Sequence, residues 1–422
     1  MPMRWRWWRF PAAALPGRSL RPAIATPRQW GDPSGAADDS SSAAPSAKLP
    51  FPPPDDLQAV QDELARMLTL DPAAIEPCFA LATLHRSQGE PQRALTVRRR
   101  LAHRPGLDKG QRARLQYEIG RDLLRLGELG KALEAFEVAQ LILPRSQAVR
   151  LALADCTLRL GKAKEAARLF AEAGRKDLQA HALARHAQAL LLAGECSHAR
   201  RHASRAAALA PTLPEGWLVL VREAAVSRNW ARLARQLRKG MHAVTPRLRF
   251  ALLEALLNPD TPWHDSGKAP AQRPCCLGPA SVSDRVHPAD NPLRAQAEVV
   301  QHILTTPPPP GQPPVAQPAD AALCHLAACL CRAGNLQEAA QIWLEKALAL
   351  EPTFWRARMD LTALALPRQE VEPAFYDAAH TLFSLLTAQP RFACAACGHR
   401  SNTLFFQCPR CQSWRRIQCC LH

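Results

Sequence analysis

The sequence predicts an all-α protein: a solenoid of paired antiparallel helices that ends in a small four-cysteine domain. Three observations predict it. Ala, Leu and Arg dominate while aromatic residues reach only 6% with two tyrosines, a composition suited to helices rather than strands. Glycines recur at a near-constant interval between helical runs. Close to the C-terminus, two Cys-x-x-Cys pairs stand ten residues apart.

The interval decides the fold. Gly89, Gly127, Gly161 and Gly194, with Arg228 in the same place, are spaced by 38, 34, 33 and 34 residues. That is the period of a tetratricopeptide repeat, one helix-turn-helix per unit. The clearest copy carries Ile119, Gly120, Leu123, Gly127, Ala132, Phe136, Ala139 and Pro144. Small residues at Gly120 and Ala132 let two helices approach to about 8–10 Å, Phe136 fills the layer towards the next unit, and Pro144 stops the second helix. Later copies keep the logic with Ala154, Gly161, Ala166, Phe170 and Ala173, then Ala187, Gly194, Ala199, Ala203, Ala206 and Pro211, then Trp217, Leu220, Leu233 and Leu237. After a Pro-rich interruption the pattern resumes at Leu326, Leu330, Gly334, Ala339, Trp343, Ala347 and Pro352, and helices over 354–366 and 375–386 close the array.

At 422 residues and 47% hydrophobic, the chain holds two or three compact units with a sizeable core. The expected boundaries are a tail over 1–54, basic and Trp-rich and then Pro/Ser-rich; repeats over 55–257; a Pro-rich insertion over 258–320 that leaves room for one short helix at 293–304; repeats over 321–388; a metal-binding domain over 389–417; and a last tail over 418–422. A solenoid tolerates such an insertion because each unit touches only its neighbours. No run approaches the roughly 18 apolar residues of a membrane span, so no integral span is expected. The first ten residues place Trp5, Trp7 and Trp8 among Arg4, Arg6 and Arg9, a pairing suited to peripheral contact with a lipid headgroup layer.

The net charge of +17 comes from 45 arginines and nine lysines against 37 acids. An arginine bias spread along the whole chain does not make a nucleic-acid face, so nucleic acid is not the expected partner. The 14 cysteines are scattered, apart from the terminal cluster, as in a reducing compartment. Cys78, Cys156, Cys324, Cys329 and Cys331 occupy helical positions where a small apolar group fits. Cys275-Cys276 and Cys419-Cys420 read as free thiols. His198 and His202, four apart near Cys196, lie among Arg200, Arg201 and Arg205 and read as a solvated helix face rather than a metal face.

The chemistry lies in Cys394-Ala-Ala-Cys397-Gly398 and Cys408-Pro-Arg-Cys411. Each pair wraps an ion at one tight turn, Gly398 permits the first turn, and 403–406 has strand character. A segment this short has almost no core of its own and needs the metal as a staple. A closed shell of Cys394, Cys397, Cys408 and Cys411 leaves no open coordination position, so one structural ion, zinc or iron, is expected. No Walker loop, Gly-x-Gly-x-x-Gly, Gly-x-Ser-x-Gly or His-Glu-x-x-His is present, and a non-enzymatic interaction protein is the expectation. The first helices of the repeats offer a groove. Phe79, Arg86, Arg114, Tyr117, Arg121, Arg125, Leu151, Arg159, Leu218 and Arg222 are expected to face it, a set suited to an acidic, partly apolar peptide.

Several blocks carry a resemblance: Leu84-His-Arg-Ser-Gln-Gly-Glu90 with Arg93-Ala94-Leu95, Gln116-Tyr-Glu-Ile-Gly-Arg-Asp-Leu123, and above all Pro390-Arg-Phe-x-Cys-x-x-Cys-Gly398 with Thr403-Leu-Phe-Phe-x-Cys-Pro-x-Cys-x-x-Trp414. Over roughly 60–257 and 320–417 the chain resembles the lipopolysaccharide assembly protein B family, bacterial heat-shock tetratricopeptide proteins with a C-terminal rubredoxin-type metal domain. The resemblance implies a cytoplasmic adaptor at the inner membrane. It would restrain lipopolysaccharide synthesis by presenting the lipid A deacetylase to a membrane AAA protease. It also implies that the four cysteines are the ligands, that Trp414 packs the small domain, and that this domain folds back on the repeats, here expected on the last ones. The family's leading transmembrane helix and this Pro-rich insertion have no counterparts in one another's sequences. The alternatives from other classes are a rubredoxin-like electron carrier and an RNA-binding ribbon.

Overall fold

Each repeat turn among the described residues rests on one residue in the left-handed backbone region. In the computed structural model Gly89, Gly127, Gly161 and Gly194 have φ of 85°, 78°, 83° and 84°, and Arg228 takes the same conformation at 50°. After the turn, one amide reaches back five residues: Glu128 N to Leu123 O at 3.0 Å, Lys162 N to Thr157 O at 3.1 Å, Asn229 N to Ala224 O at 3.0 Å. This satisfies carbonyls that the helix end leaves open. Near the C-terminus of the array the left-handed residue is Asn335 (φ 60°), not Gly334. Gly334 is needed for another reason, since a Cβ there would lie 2.9 Å from the Arg294 backbone.

The structure describes residues 57–71, 74–258, 291–306, 320–365, 389–420 and five positions between 375 and 382. The N-terminal tail with its Trp-Arg segment, Cys275-Cys276 and most of the closing helix expected over 375–386 lie outside them. After α1 (Leu57–Leu70), the helices pair as α2 (Ile75–Ser87) with α3 (Pro91–Ala102), α4 (Lys109–Arg125) with α5 (Leu129–Ile142), α6 (Gln147–Arg159) with α7 (Ala163–Glu172), α8 (Lys176–Leu192) with α9 (Cys196–Leu209), and α10 (Pro214–Val226) with α11 (Trp230–Ala243). Then come α12 (Phe250–Leu257), α13 (Pro292–Thr305), the pair α14 (Ala321–Ala333) and α15 (Gln337–Leu350), and α16 (Trp355–Ala365). Helix α12 stacks between α10 and α14 as a first helix does, while α13 packs on α11 and α14 as a second helix does. The helix at Pro292–Thr305 therefore takes a second-helix place in the array, and the Pro-rich sequence 259–290 separates it from α12 along the chain.

Local chemistry explains the starts. Asp108 and Gln111 cap α4 reciprocally, at 2.7 and 3.0 Å. Asn229 and Asp320 cap α11 and α14, and Pro91, Pro214 and Pro292 occupy first turns where a missing N–H costs nothing. Phe136 is fully buried and lies over Gly120 of its own repeat, where a Cβ would meet its ring at 2.6 Å. The five helical cysteines named above are all buried, as packing residues should be.

The C-terminal ribbon is a three-stranded antiparallel sheet, β1 (Phe392–Cys394), β2 (Arg400–Ser401) and β3 (Ile417–Cys419), in the order β2-β1-β3. Strand β3 extends past residue 417, so Cys419 belongs to the sheet. Residues 403–406 form no strand, contrary to expectation: Leu404, Phe405 and Phe406 bury all three side chains instead of alternating. Their apolar mass, with Phe392 and Ile417, joins one continuous core with α6–α16.

Candidate metal centre and the ribbon seat

Both knuckles are built alike. Gly398 N donates to Cys394 O at 2.9 Å, and Gln412 N donates to Cys408 O at 2.8 Å. Gly398 (φ 70°) and Gln412 (φ 59°) each follow the second cysteine of a pair in the left-handed region. The four Sγ atoms lie within 4.8 Å of one another, with Cys394 to Cys411 at 3.8 Å and Cys397 to Cys408 at 3.6 Å. A tetrahedron with metal–sulfur bonds of about 2.3 Å has edges of about 3.8 Å, so these residues fit a thiolate-bound ion. Burial pushes the Cys408 thiol up to about 12. At Cys411 burial pulls the same way, but hydrogen bonds from the Ser413 hydroxyl and amide bring the thiol down to about 6. Four adjacent thiolates repel one another and need a cation between them.

The ribbon docks far from where its place in the chain suggests. Its root lies on the last helices, where Arg356 of α16 donates to the carbonyls of Gln389 and Pro390. Its body sits on the first helices of the middle repeats. Arg391 holds Glu254 of α12 through two bonds of 2.9 and 2.6 Å, and Arg415 donates to Glu215 of α10 at 3.0 Å. Glu215 also bonds His181 of α8 at 3.3 Å, and the His181 ring stands edge-on to Trp414 at 4.9 Å. Phe392 stacks on Phe250 at 5.9 Å. Trp414 thus packs the ribbon against the solenoid. The middle repeats are the seat because they bury two carboxylates, at 2% and 4% exposure, that need cations from outside. Burial alone would raise the Glu215 carboxyl, but the bond to His181 and the charge of Arg415 hold it below the ordinary range.

The expected groove residues divide. Arg222 is buried and donates to the Ala255 and Asn258 carbonyls at the end of α12, so it holds two helices together and does not face a partner. Phe79 and Leu218 belong to the core. Arg86 sits in a buried cluster with Arg98, Glu118 and Asp122, at 2.6 Å from Glu118 and 3.2 Å from Asp122, with Arg98 paired to Asp122. Arg114 is exposed, pairs with Glu76 at 2.9 Å and lies 4.3 Å above the Phe79 ring. Tyr117 packs on Phe136, and Arg121 lies 5.6 Å over its ring. Arg121 bonds Glu118 at 3.1 Å and Arg159 bonds Asp155 at 2.9 Å. Arg125 makes no hydrogen bond or ion pair with any described residue. Leu151 is half-buried.

Two features escaped the sequence reading. Arg185 in the middle of α8 is half-buried and likewise without a bonded partner among the described residues. Its position is unremarkable in a chain full of arginine, and only the packing isolates it. His325, Cys329 and Asp360 also meet, with His325 Nε2 2.7 Å from Asp360 and 3.8 Å from Cys329 Sγ, while Arg332 neutralises the other Asp360 oxygen at 2.8 Å. That network ties α14 to α16. His198 is exposed and bonds Glu195 at 3.0 Å, and the His202 ring stands edge-on to His186 at 4.8 Å.

No protein-family model matches the chain, and no curated protein does. Among solved structures the chain is similar to YrrB, a TPR protein with an unusual peptide-binding site, at 17% identity over 46% of this chain and 98% of that one, with a TM-score of 0.35. It is similar to a tetratricopeptide repeat protein of Parabacteroides merdae at 14% identity over 69% and 98% of the two chains, TM-score 0.35. A thermophilic TPR protein of Thermus thermophilus follows at 21%, 44% and 100%, TM-score 0.26. The helix pairs and their turns make this chain a tetratricopeptide-repeat solenoid carrying a small C-terminal four-cysteine domain. No helix among the described residues is long and apolar enough to cross a membrane.

Proposed function

We propose that the protein is a non-enzymatic scaffold that presents protein clients, with the metal ribbon as a fixed part of its binding face. The observation that carries this is the ribbon seat. A ribbon anchored by Arg391 and Arg415 on buried Glu254 and Glu215 is integral to the first-helix face and is held there as a structural part. Cys394, Cys397, Cys408 and Cys411 hold one ion, zinc or iron, whose role is to fold this segment. The resemblance to lipopolysaccharide assembly protein B supports a specific client, the lipid A deacetylase, handed to a membrane AAA protease at the inner membrane.

An RNA-binding ribbon is disfavoured because Phe405 and Phe406 are buried at 4% and 1%, leaving them unable to serve as stacking platforms. The test is a pull-down with the full chain from its native organism at moderate salt. Recovery of the deacetylase and the protease is expected, and recovery of nucleic acid without protein would overturn the reading. Reversible iron reduction at a physiological potential would move the ribbon to the electron carriers. Membrane contact through Trp5, Trp7, Trp8 and the neighbouring arginines is tested by liposome flotation of the full chain against one beginning at Asp55. Equal flotation of the two removes the anchor.

A further inference from the structure

Six arginines lie on four successive repeats: Arg86, Arg121, Arg125, Arg159 and Arg185 along the first helices, and Arg98 on α3. The acids that compensate them are Glu118, Asp122 and Asp155. Glu118 and Asp122 serve Arg86, Arg98 and Arg121, while Asp155 bonds Arg159 and acts on Arg185 from farther off. Six guanidinium charges thus share three carboxylates, and Arg125 and Arg185 bond none of them. They are close enough to oppose one another: Arg125 is pushed below the ordinary arginine range by burial and then by Arg86, Arg121 and Arg159, and Arg185 is brought to about 10, mainly by burial, with Arg159 adding to it.

Helix ends explain part of this. Arg125 and Arg159 are the last residues of α4 and α6, where the helix dipole favours a cation. Arg185 has no such excuse. It stands mid-way along α8, one turn beyond His181, half-buried and with no bonded partner among the described residues, Asp155 attracting it only from a distance. Holding an unpaired charge there costs free energy that a bound anion would return.

We propose that Arg121, Arg125, Arg159 and Arg185 form an anion-binding strip, adjoining the docked ribbon, that receives neighbouring carboxylates of an extended acidic segment of a partner protein. This rests on the scaffold reading and names the chemistry its client must carry. A carboxylate-bearing peptide fits better than a nucleic acid because Glu118 and Asp155 lie within the strip. The phosphates of a nucleic acid are fixed in its backbone and would run past both acids, whereas the side chains of a peptide, even one acidic at every position, can turn their carboxylates towards the arginines.

The test uses the full chain and two fluorescein-labelled probes, hexaglutamate and a hexathymidine oligonucleotide, followed by anisotropy at about 150 mM salt, where bulk attraction is screened within about 8 Å. Hexaglutamate should bind the unmodified protein, and the double variant Arg125→Glu with Arg185→Glu should bind it about tenfold or more weakly. The control, Arg201→Glu with Arg205→Glu on exposed sites of α9, makes the same change in net charge and should bind as the unmodified protein does. Thermal unfolding checks that each variant is folded, and the neutral pair Arg125→Gln with Arg185→Gln should give a smaller loss in the same direction. Equal losses in variant and control, no hexaglutamate binding, or tighter binding of hexathymidine would each overturn the proposal. If the double variant still captures the same client proteins as the unmodified chain, the strip fails while the scaffold survives. If the unmodified chain captures none, the scaffold itself fails.

Discussion

Arg415 in the ribbon donates to Glu215 on α10 at 3.0 Å, joining positions 200 residues apart, and Glu215 is 2% exposed. Removing the arginine leaves a buried carboxylate without its cation, a change that costs about 3–5 kcal/mol. Arg415→Ala should release the ribbon: limited proteolysis will cut near 389–391 within minutes while the solenoid stays intact. Adding Glu215→Gln to Arg415→Ala should recover part of the loss, because the buried group is then neutral.

Metal loss should produce the same release by another route. Coordination supplies roughly 10–16 kcal/mol of folding free energy in such thiolate sites. Cys408→Ser should abolish metal binding in elemental analysis and expose the tail to protease, with the far-ultraviolet helical signal almost unchanged. A protected tail with bound metal in this variant would refute four-cysteine ligation.

Acid should undock the ribbon. Burial holds the His181 ring below the usual histidine value of about 6.5, although the bond to Glu215 works against that shift. As pH falls through about 6.5 the undocked ring takes up a proton that the docked ring resists, so docking is fully stable above that value and weakens below it. Glu215, held below its ordinary value of about 4.3, adds a loss of the same sign at lower pH. His181→Gln should flatten the loss of protease protection between about pH 6.5 and 5, which separates this effect from protonation of the thiolates.

The repeat turns make a paired prediction. Arg228 occupies a left-handed turn that glycine fills in four other repeats, so Arg228→Gly should raise stability by about 0.5–1 kcal/mol. Gly120→Ala should lower it by about 1–3 kcal/mol, since the new methyl group would meet the Phe136 ring at 2.6 Å. Thermal melts of both variants decide the pair.

The repeat spacing, the turn glycines and the two Cys-x-x-Cys knuckles were legible in the chain by itself, because each is set by interactions among residues a few positions apart. A left-handed turn, a capping box or a metal knuckle has its whole physical cause inside one short window. Gly334 shows the limit: the pattern aligns it with the turn glycines, yet it is required by the approach of α13, and the turn falls to Asn335. Residues 403–406 show it again, their run of apolar side chains serving burial against the solenoid instead of a strand. Only the tertiary structure decided that the ribbon sits on α8, α10 and α12, that Arg222 is a helix tie, and that Arg125 and Arg185 are left without bonded carboxylates. Those outcomes depend on which buried charges face one another once the superhelix brings distant repeats together, and electrostatic pairing across 200 residues leaves no periodic trace in the sequence.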